Sequence, residues 1–438
     1  MKSDHWLPAI AFSFLSCIVS RFHSYLNSTS EILKQYKGEE PFSSFLKKFF
    51  SLNKKYGSRD RKEIAQLCYC YYRLGKDFTD LGPFERILTG LLLSSSGPNE
   101  IIAALKPEWS EKISLPLFDK LSCLSPVHST LSVFPWTNRL SEGIDFNLFN
   151  QSFLVQPDLF LRVRPGYENI VLEKIRNSGY RELVGSLPNR QMGPETEAFP
   201  SEPQVLDQRW VRLIRESCIE LPNGTKIEEL IDLDKEAVIQ DYSSQRIAEF
   251  VEMVRPGRSD HFNVWDCCAG SGGKSILAKD VLGDMDLTVS DIRESILSNL
   301  KKRFQKAGIS NYKSMVKDLT APASRLPPPA YDLILCDAPC TGSGTWSRTP
   351  EQLYFFDEKK IGEYSLLQKK IVAHVIPELK PGGYFLYITC SVFRKENEEI
   401  VEFIRAQFQL TLVKMELLKG YDKKADSMFA ALFIASGS

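Results

Sequence analysis

The chain reads as an α/β protein. Its carboxyl-terminal half is a doubly wound, Rossmann-like sheet, preceded by a small α/β unit and an all-helical front. Three observations predict this. From about residue 236 onward, short β-branched and aromatic runs alternate with helical spacings, the rhythm of a parallel sheet with crossover helices. From about 7 to 125 the apolar residues recur at three and four with few β-branched runs, as in packed helices. At 438 residues the chain exceeds what one ordinary core serves, so two or three domains are expected. The divisions fall at 1–125 (helical), 126–155 (linker), 156–235 (small α/β) and 236–438 (doubly wound).

Composition narrows the class. With 43% hydrophobic and 11% aromatic residues, the chain is not disordered. Fifty-five basic against 55 acidic side chains exclude a uniformly basic coat but not local patches. The ten cysteines form no Cys-x-x-Cys pair and accompany no histidine cluster. Neither a metal site nor a disulfide framework is therefore expected, and a reducing, cytoplasmic setting is.

At the start, residues 6–19 form an apolar run behind Lys2, so an export signal has to be weighed. The run is shorter than the roughly 20 residues that span a bilayer. It continues into Phe22, Tyr25, Leu26, Ile32 and Leu33 at helical spacing, which favours a core helix. No other stretch reaches membrane-spanning length. The clearest front helix is 58–73, where Ser58 can cap and Ile64, Leu67, Cys68 and Tyr71 share a face. Cys68 and Cys70 diverge on it. Between positions 34 and 76, eleven basic residues face four acidic ones, either a solvated surface or a phosphate-tracking patch.

In the middle unit, 158–163 (DLFLRV) reads as a strand, 167–178 as a helix, and 204–219 alternates loosely. Pro222, Asn223 and Gly224 make a turn between extended segments. Beyond it, strands are expected at 262–268, 286–290, 331–336 and 384–389, with helices at 274–282, 294–307 and 361–379. Pro381, Gly382 and Gly383 stop the last helix, and 408–415 and 428–435 close the sheet. There are no internal repeats.

The first of these strands runs into Cys268, Ala269, Gly270, Ser271, Gly272, Gly273, Lys274 and Ser275, followed by a helix. Glycines let backbone turn tightly beside a ligand, and the helix start favours an anionic group. A phosphate-binding P-loop needs glycine where Cys268 stands, and a dinucleotide fingerprint needs it at Ser275. What remains is a short glycine loop with Asp291 at the second strand tip and Asp318 after the third. Asp291 suits ribose hydroxyls and Asp318 an adenine amino group, which together point to S-adenosylmethionine. The plainer alternative is that both acids cap helices.

Asp337, Ala338, Pro339, Cys340, Thr341, Gly342, Ser343 and Gly344 follow the fourth strand, and Thr389-Cys390-Ser391 ends the fifth. If those strands are neighbours, both thiols face one crevice beside the cofactor. Cys336 reads as a buried apolar residue, and Cys267 and Cys268 as lining the glycine loop or packing.

These motifs, with Glu396-Asn397-Glu398 and Gln240-Asp241-Tyr242-Ser243-Ser244, resemble the RsmB/Sun family of RNA cytosine-C5 methyltransferases. The resemblance is specific over 236–438. Gly57-Ser58-Arg59-Asp60-Arg61 is similar to the NusB-like helical RNA-binding domain of its bacterial members. The family implies a class I S-adenosylmethionine-dependent fold and an RNA partner. Small-subunit ribosomal RNA comes first, transfer RNA second; from the sequence itself a monomer is the default for a chain this modular, and neither a membrane nor a metal partner is expected. It implies Cys390 as the nucleophile that adds to cytosine C6, Cys340 as the acid or base of product release, and Asp337 holding the ring. Cofactor contacts carry over to Cys268, Ala269, Gly270, Ser271, Gly272, Gly273, Lys274, Asp291, Asp318 and Asp337, with Lys274 also placed to lower the pKa of a nearby thiol.

The chain departs from the family pattern at Gly270-Ser271, where Ala-Pro is usual, at Ser427, where glycine is common, and in its apolar extension before Arg21. Two rival readings compete with this one. A DNA cytosine-C5 methyltransferase uses the Pro-Cys thiol as nucleophile and does not need Cys390. A non-catalytic RNA-binding assembly factor has no need to keep both thiols.

Overall fold

The computed structural model describes residues 7–124, 130–183, 210–215, 217–254, 262–321 and 330–437, with side chains from Ile18 onward. Trp6 and the side chains of the apolar run up to Cys17 therefore lie outside the described residues, as does 204–209 of the loosely alternating stretch. The backbone is helical from Leu7 to Gln35, and Phe22, Tyr25, Leu26 and Ile32 bury one face of that helix. Among the described residues no helix is long and apolar enough to cross a membrane.

Helices Phe42–Leu52, Ser58–Arg73, Pro83–Ser94 and Glu100–Leu105 complete the front around Tyr36, Phe42, Ile64, Leu67 and Tyr72. Ser58 does not cap its helix, because the cap position is one residue earlier, at Gly57. Asp60 serves instead: its carboxylate accepts the Gly57 N–H at 3.0 Å and the Tyr25 hydroxyl at 2.5 Å. The stretch expected as a linker is packed wherever it is described. Phe134, Phe149 and Phe153 are buried with Trp346 and Phe393 of the C-terminal half, since so many aromatic rings are too costly to leave in water. Arg73 lies in the same seam, donating to the carbonyls of Phe153 at 2.8 Å and Ser347 at 3.1 Å.

The middle unit is a five-stranded sheet: β1 Leu159–Val163, β2 Arg181–Leu183, β3 Trp210–Arg215, β4 Cys218–Leu221 and β5 Ala237–Ile239, in the order β2-β3-β4-β1-β5. The Asn223-Gly224 turn forms, with Gly224 at φ +82°. It closes no hairpin, however. The chain passes into a short 3-10 turn, Ile227–Glu229, and β5 pairs with β1 rather than β4.

The C-terminal sheet contains β6 Asn263–Asp266, β7 Asp286–Asp291, β8 Tyr312–Val316, β9 Tyr331–Asp337, β10 Leu379–Thr389, β11 Leu410–Leu418 and β12 Met428–Ala435. Its order is β11-β12-β10-β9-β6-β7-β8. The five strands from β10 to β8 run parallel, and β12 lies antiparallel between β10 and β11. Helix Lys359–Val375 ends earlier than expected. The α-helix gives way to a 3-10 turn, Ile376–Glu378, at Pro377 rather than at Pro381, because proline has no N–H to continue the α-helical hydrogen-bond ladder. Pro381, Gly382 and Gly383 instead sit in the first part of β10, where the register with β9 shifts between Leu379 and Tyr384.

Candidate active site

Residues beyond the carboxyl ends of the parallel strands line one crevice, as the doubly wound topology requires. After β6 the chain turns through Gly270 (φ +52°) and Gly272 (φ +85°) into helix Gly273–Leu282. The two glycines have different reasons. A Cβ on Gly272 would lie 2.7 Å from Phe304, so that position is closed by packing. A Cβ on Gly270 would meet nothing within 4 Å, so there the backbone borders open space. Ala269 is buried and its N–H donates to the Ser290 carbonyl at 2.9 Å.

The Gly270 N–H donates to Asp291 Oδ2 at 3.0 Å, and Asp291 Oδ1 accepts from Arg293 N at 2.9 Å and Nε at 3.0 Å. Burial pushes the Asp291 carboxyl up, but the Arg293 and Gly270 bonds outweigh it and hold the group below its ordinary range. Asp318 is exposed, and its carboxylate accepts from Thr320 N at 2.8 Å and Oγ1 at 2.7 Å. It caps its own turn rather than a helix. Asp266, the last residue of β6, is fully buried; Oδ2 accepts from Ser275 Oγ at 2.6 Å and Oδ1 has no partner. Burial raises its carboxyl to about 7.

Ser271 is held from outside the glycine loop. Arg303 Nη1 donates to its carbonyl at 3.1 Å and its hydroxyl at 3.0 Å, while Nε and Nη2 bind Asp234 Oδ1 at 2.9 and 2.7 Å. Neither Arg303 nor Asp234 is signalled by any motif, since both partners are distant in sequence.

Lys274 was expected beside a thiol. Instead its Nζ lies 3.1 Å from Asp337 Oδ2, with only 11% of the lysine side chain exposed, because a carboxylate at the tip of β9 is the stronger partner for an ammonium leaving water. The thiols themselves meet. Parallel pairing of β9 and β10 sets Asp337 opposite Ile388, and Cys340 Sγ lies 3.3 Å from Cys390 Sγ, both half-buried. The hydrogen bond to Cys390, then burial and the nearby Glu396 charge, push the Cys340 thiol well above its usual pKa. Cys340 therefore keeps its proton against the Cys390 sulfur. Two glycines make the approach possible: Gly342 turns at φ +74°, and the Gly344 N–H donates to the Cys390 carbonyl at 2.8 Å.

Glu396, Asn397 and Glu398 hold this arrangement together. Glu396 accepts from Thr341 N at 2.9 Å, Thr341 Oγ1 at 2.6 Å, Ser391 Oγ at 2.7 Å and Gln368 Nε2 at 3.1 Å. It thus joins the loop after β9 to the loop after β10. The Asn397 amide donates to the Ser391 carbonyl at 2.9 Å and Ser141 Oγ at 2.8 Å. Glu398 accepts from Ser141 Oγ at 2.9 Å and Glu142 N at 3.0 Å. Gln368, Ser141 and Glu142 were missed by the sequence reading, for no motif carries them. Cys268 is half-buried beside Cys267 and Cys336; hydrogen bonds from those two thiols lower it to about 5.

Residues 251–432 match the family model described as 16S rRNA methyltransferase RsmB/F. The ribosomal RNA small subunit methyltransferase B of Salmonella paratyphi B is 34% identical over 166 residues, which is 37% of this chain and 37% of the relative. The protein of that name from Salmonella heidelberg matches equally, at 34% over 166 residues. Each aligned segment thus spans well under half of the relative's length. The fold is similar to the crystal structure of PH0851, with a TM-score of 0.60 at 18% identity over 90% of this chain and 94% of that one. The thiol loops and the glycine loop both fall inside the segment, residues 251–432, that is similar to the RsmB/F methyltransferase model.

Proposed function

We propose that this protein transfers a methyl group from S-adenosylmethionine to C5 of a cytosine in RNA, small-subunit ribosomal RNA first, with Cys390 as nucleophile. The observation that carries this reading is the 3.3 Å pair of thiols at neighbouring strand ends. The crevice suits the cofactor: open space borders Gly270, helix Gly273–Leu282 offers its N-terminal N–H groups, and the buried Asp291 ends β7. When bound, S-adenosylmethionine supplies an electrophilic methyl group.

Cytosine C5 is a weak nucleophile until C6 is occupied. The Cys390 thiolate adds to C6, forming an S–C6 bond and moving the C5–C6 π electrons into the ring as an enamine. Asp337, anchored by Lys274, holds the ring edge where charge develops. After C5 is methylated, its proton must leave while the S–C6 electrons return to sulfur. Cys340, already protonated beside Cys390, gives that proton to the departing sulfur and takes the one from C5, ending as a thiol again. The target base must stand outside any stack for the sulfur to reach C6. The front helices and the five-stranded sheet, whose structures carry no assigned role, would supply RNA affinity and positioning.

The test uses the full chain, unmodified small-subunit ribosomal RNA and isotopically labelled S-adenosylmethionine. Label is expected in 5-methylcytosine with the native protein and none with Cys390→Ala. Failure to bind cofactor at about millimolar concentration would overturn catalysis in favour of an RNA-binding role.

A further inference from the structure

Among the described residues five thiols lie near the crevice, Cys267, Cys268, Cys336, Cys340 and Cys390, and the reaction above uses two. The other three form a second cluster. Cys267 and Cys268 follow β6, Cys336 is the penultimate residue of β9, and their sulfurs all lie within 4.8 Å of one another. All three are unbridged. Cys267 and Cys336 are buried at 1% and 0% exposure, among Trp265, Ile334 and Phe385. Cys268 alone reaches the crevice rim.

We propose that this triad is a binding site for a soft d10 cation of the copper(I) class, held by three thiolates. Sulfurs no more than 4.8 Å apart can share a centre within about 2.8 Å of each, and a contraction of about 0.5 Å reaches metal–thiolate bonding distance. The ligand set is entirely sulfur, without the imidazole or carboxylate that borderline and hard ions prefer. It is also three rather than four. A closed zinc site takes four ligands, whereas a soft cation is content with a trigonal set. On binding, three metal–sulfur bonds form, the remaining thiol protons leave to solvent, and no electron is transferred. The ion enters past Cys268, the first residue of the glycine loop.

The site is tested on the full, reduced chain with cadmium(II) as probe, followed through its sulfur-to-metal charge-transfer absorption. One ion per chain is expected, and equally in a Cys340→Ala/Cys390→Ala double variant, which keeps the triad but lacks the other pair. Cys336→Ala and Cys268→Ala should each weaken binding about tenfold or more. Cys268→Ala guards against a folding failure at buried Cys336, with thermal unfolding of both ion-free variants as control. Copper(I) should displace the cadmium where zinc at equal concentration does not. Binding unaffected by either triad variant, binding lost in the double variant, or displacement by zinc but not copper(I) would overturn the proposal.

Discussion

Two glycines in the loops after β6 and β9 teach opposite lessons. Around Gly270 the backbone is open: an added Cβ meets nothing within 4 Å, and the neighbouring Ser271 is steadied by one arginine from the next helix. Around Gly344 there is no room. A Cβ there would lie 2.1 Å from the Ser427 carbonyl oxygen and 3.0 Å from that of Cys390, and buried Glu396 locks the adjoining loops with four hydrogen bonds. The side that would admit a cofactor is thus loose and adjustable, while the side that presents the thiols is fixed before substrate arrives. Preorganisation of this kind belongs where reacting atoms must be held, since small misplacements cost far more in rate than in binding.

The largest contrast should come from replacing each glycine in turn. Gly344→Ala must push backbone aside, costing about 3 kcal/mol or more in chemical denaturation. Methyl transfer should fall at least about a hundredfold, because the Cys390 loop moves with it. Gly270→Ala should cost only about 1 kcal/mol, the penalty of a side chain at positive φ. Its effect should appear instead as a cofactor Kd raised about tenfold, read by calorimetry. Equal losses of stability from the two substitutions would dissolve the distinction.

Asp266, beneath the loose side, carries the contrast into pH dependence. Burial raises its carboxyl from 3.8 to about 7 in the folded chain, so the folded state holds the proton more tightly than the unfolded one. Its contribution to stability is fully present below about pH 4 and is lost as pH rises to about 7. Relative to Asp266→Asn, the native protein should therefore lose about 5 °C in Tm between those values. A midpoint that rises over the same range would contradict the neutral carboxyl.

The same contrast explains what could be read from the sequence. The thiol side was legible because its chemistry is carried by contiguous runs, Asp337 to Gly344 and Thr389 to Ser391, and because parallel strands bring successive loops together by rule. Helix 294–307 was legible from its own periodicity, and the structure forms it as Glu294–Ala307. The loose side was less legible, because its supports come from far along the chain. Arg303 reaches back to both Ser271 and Asp234, and Lys274 finds Asp337 rather than a thiol, 63 positions away. The Cys267–Cys268–Cys336 triad escaped for that reason also: a burial argument made residue by residue cannot see that strands β6 and β9 are adjacent. Segment 130–155 was misread because turn-forming and polar residues masked its aromatic rings, whose packing partners, Trp346 and Phe393, come two hundred residues later.

In the proposed mechanism Cys390 bonds to the base and Cys340 lets it go. Mixing full-length protein with target RNA and S-adenosylmethionine, then resolving the products on a denaturing gel, tests it directly. Cys340→Ala should accumulate a covalent protein–RNA species and Cys390→Ala should show none. An adduct that survives loss of Cys390, or that disappears with Cys340 while Cys390→Ala still methylates, would reverse the two roles and contradict the mechanism.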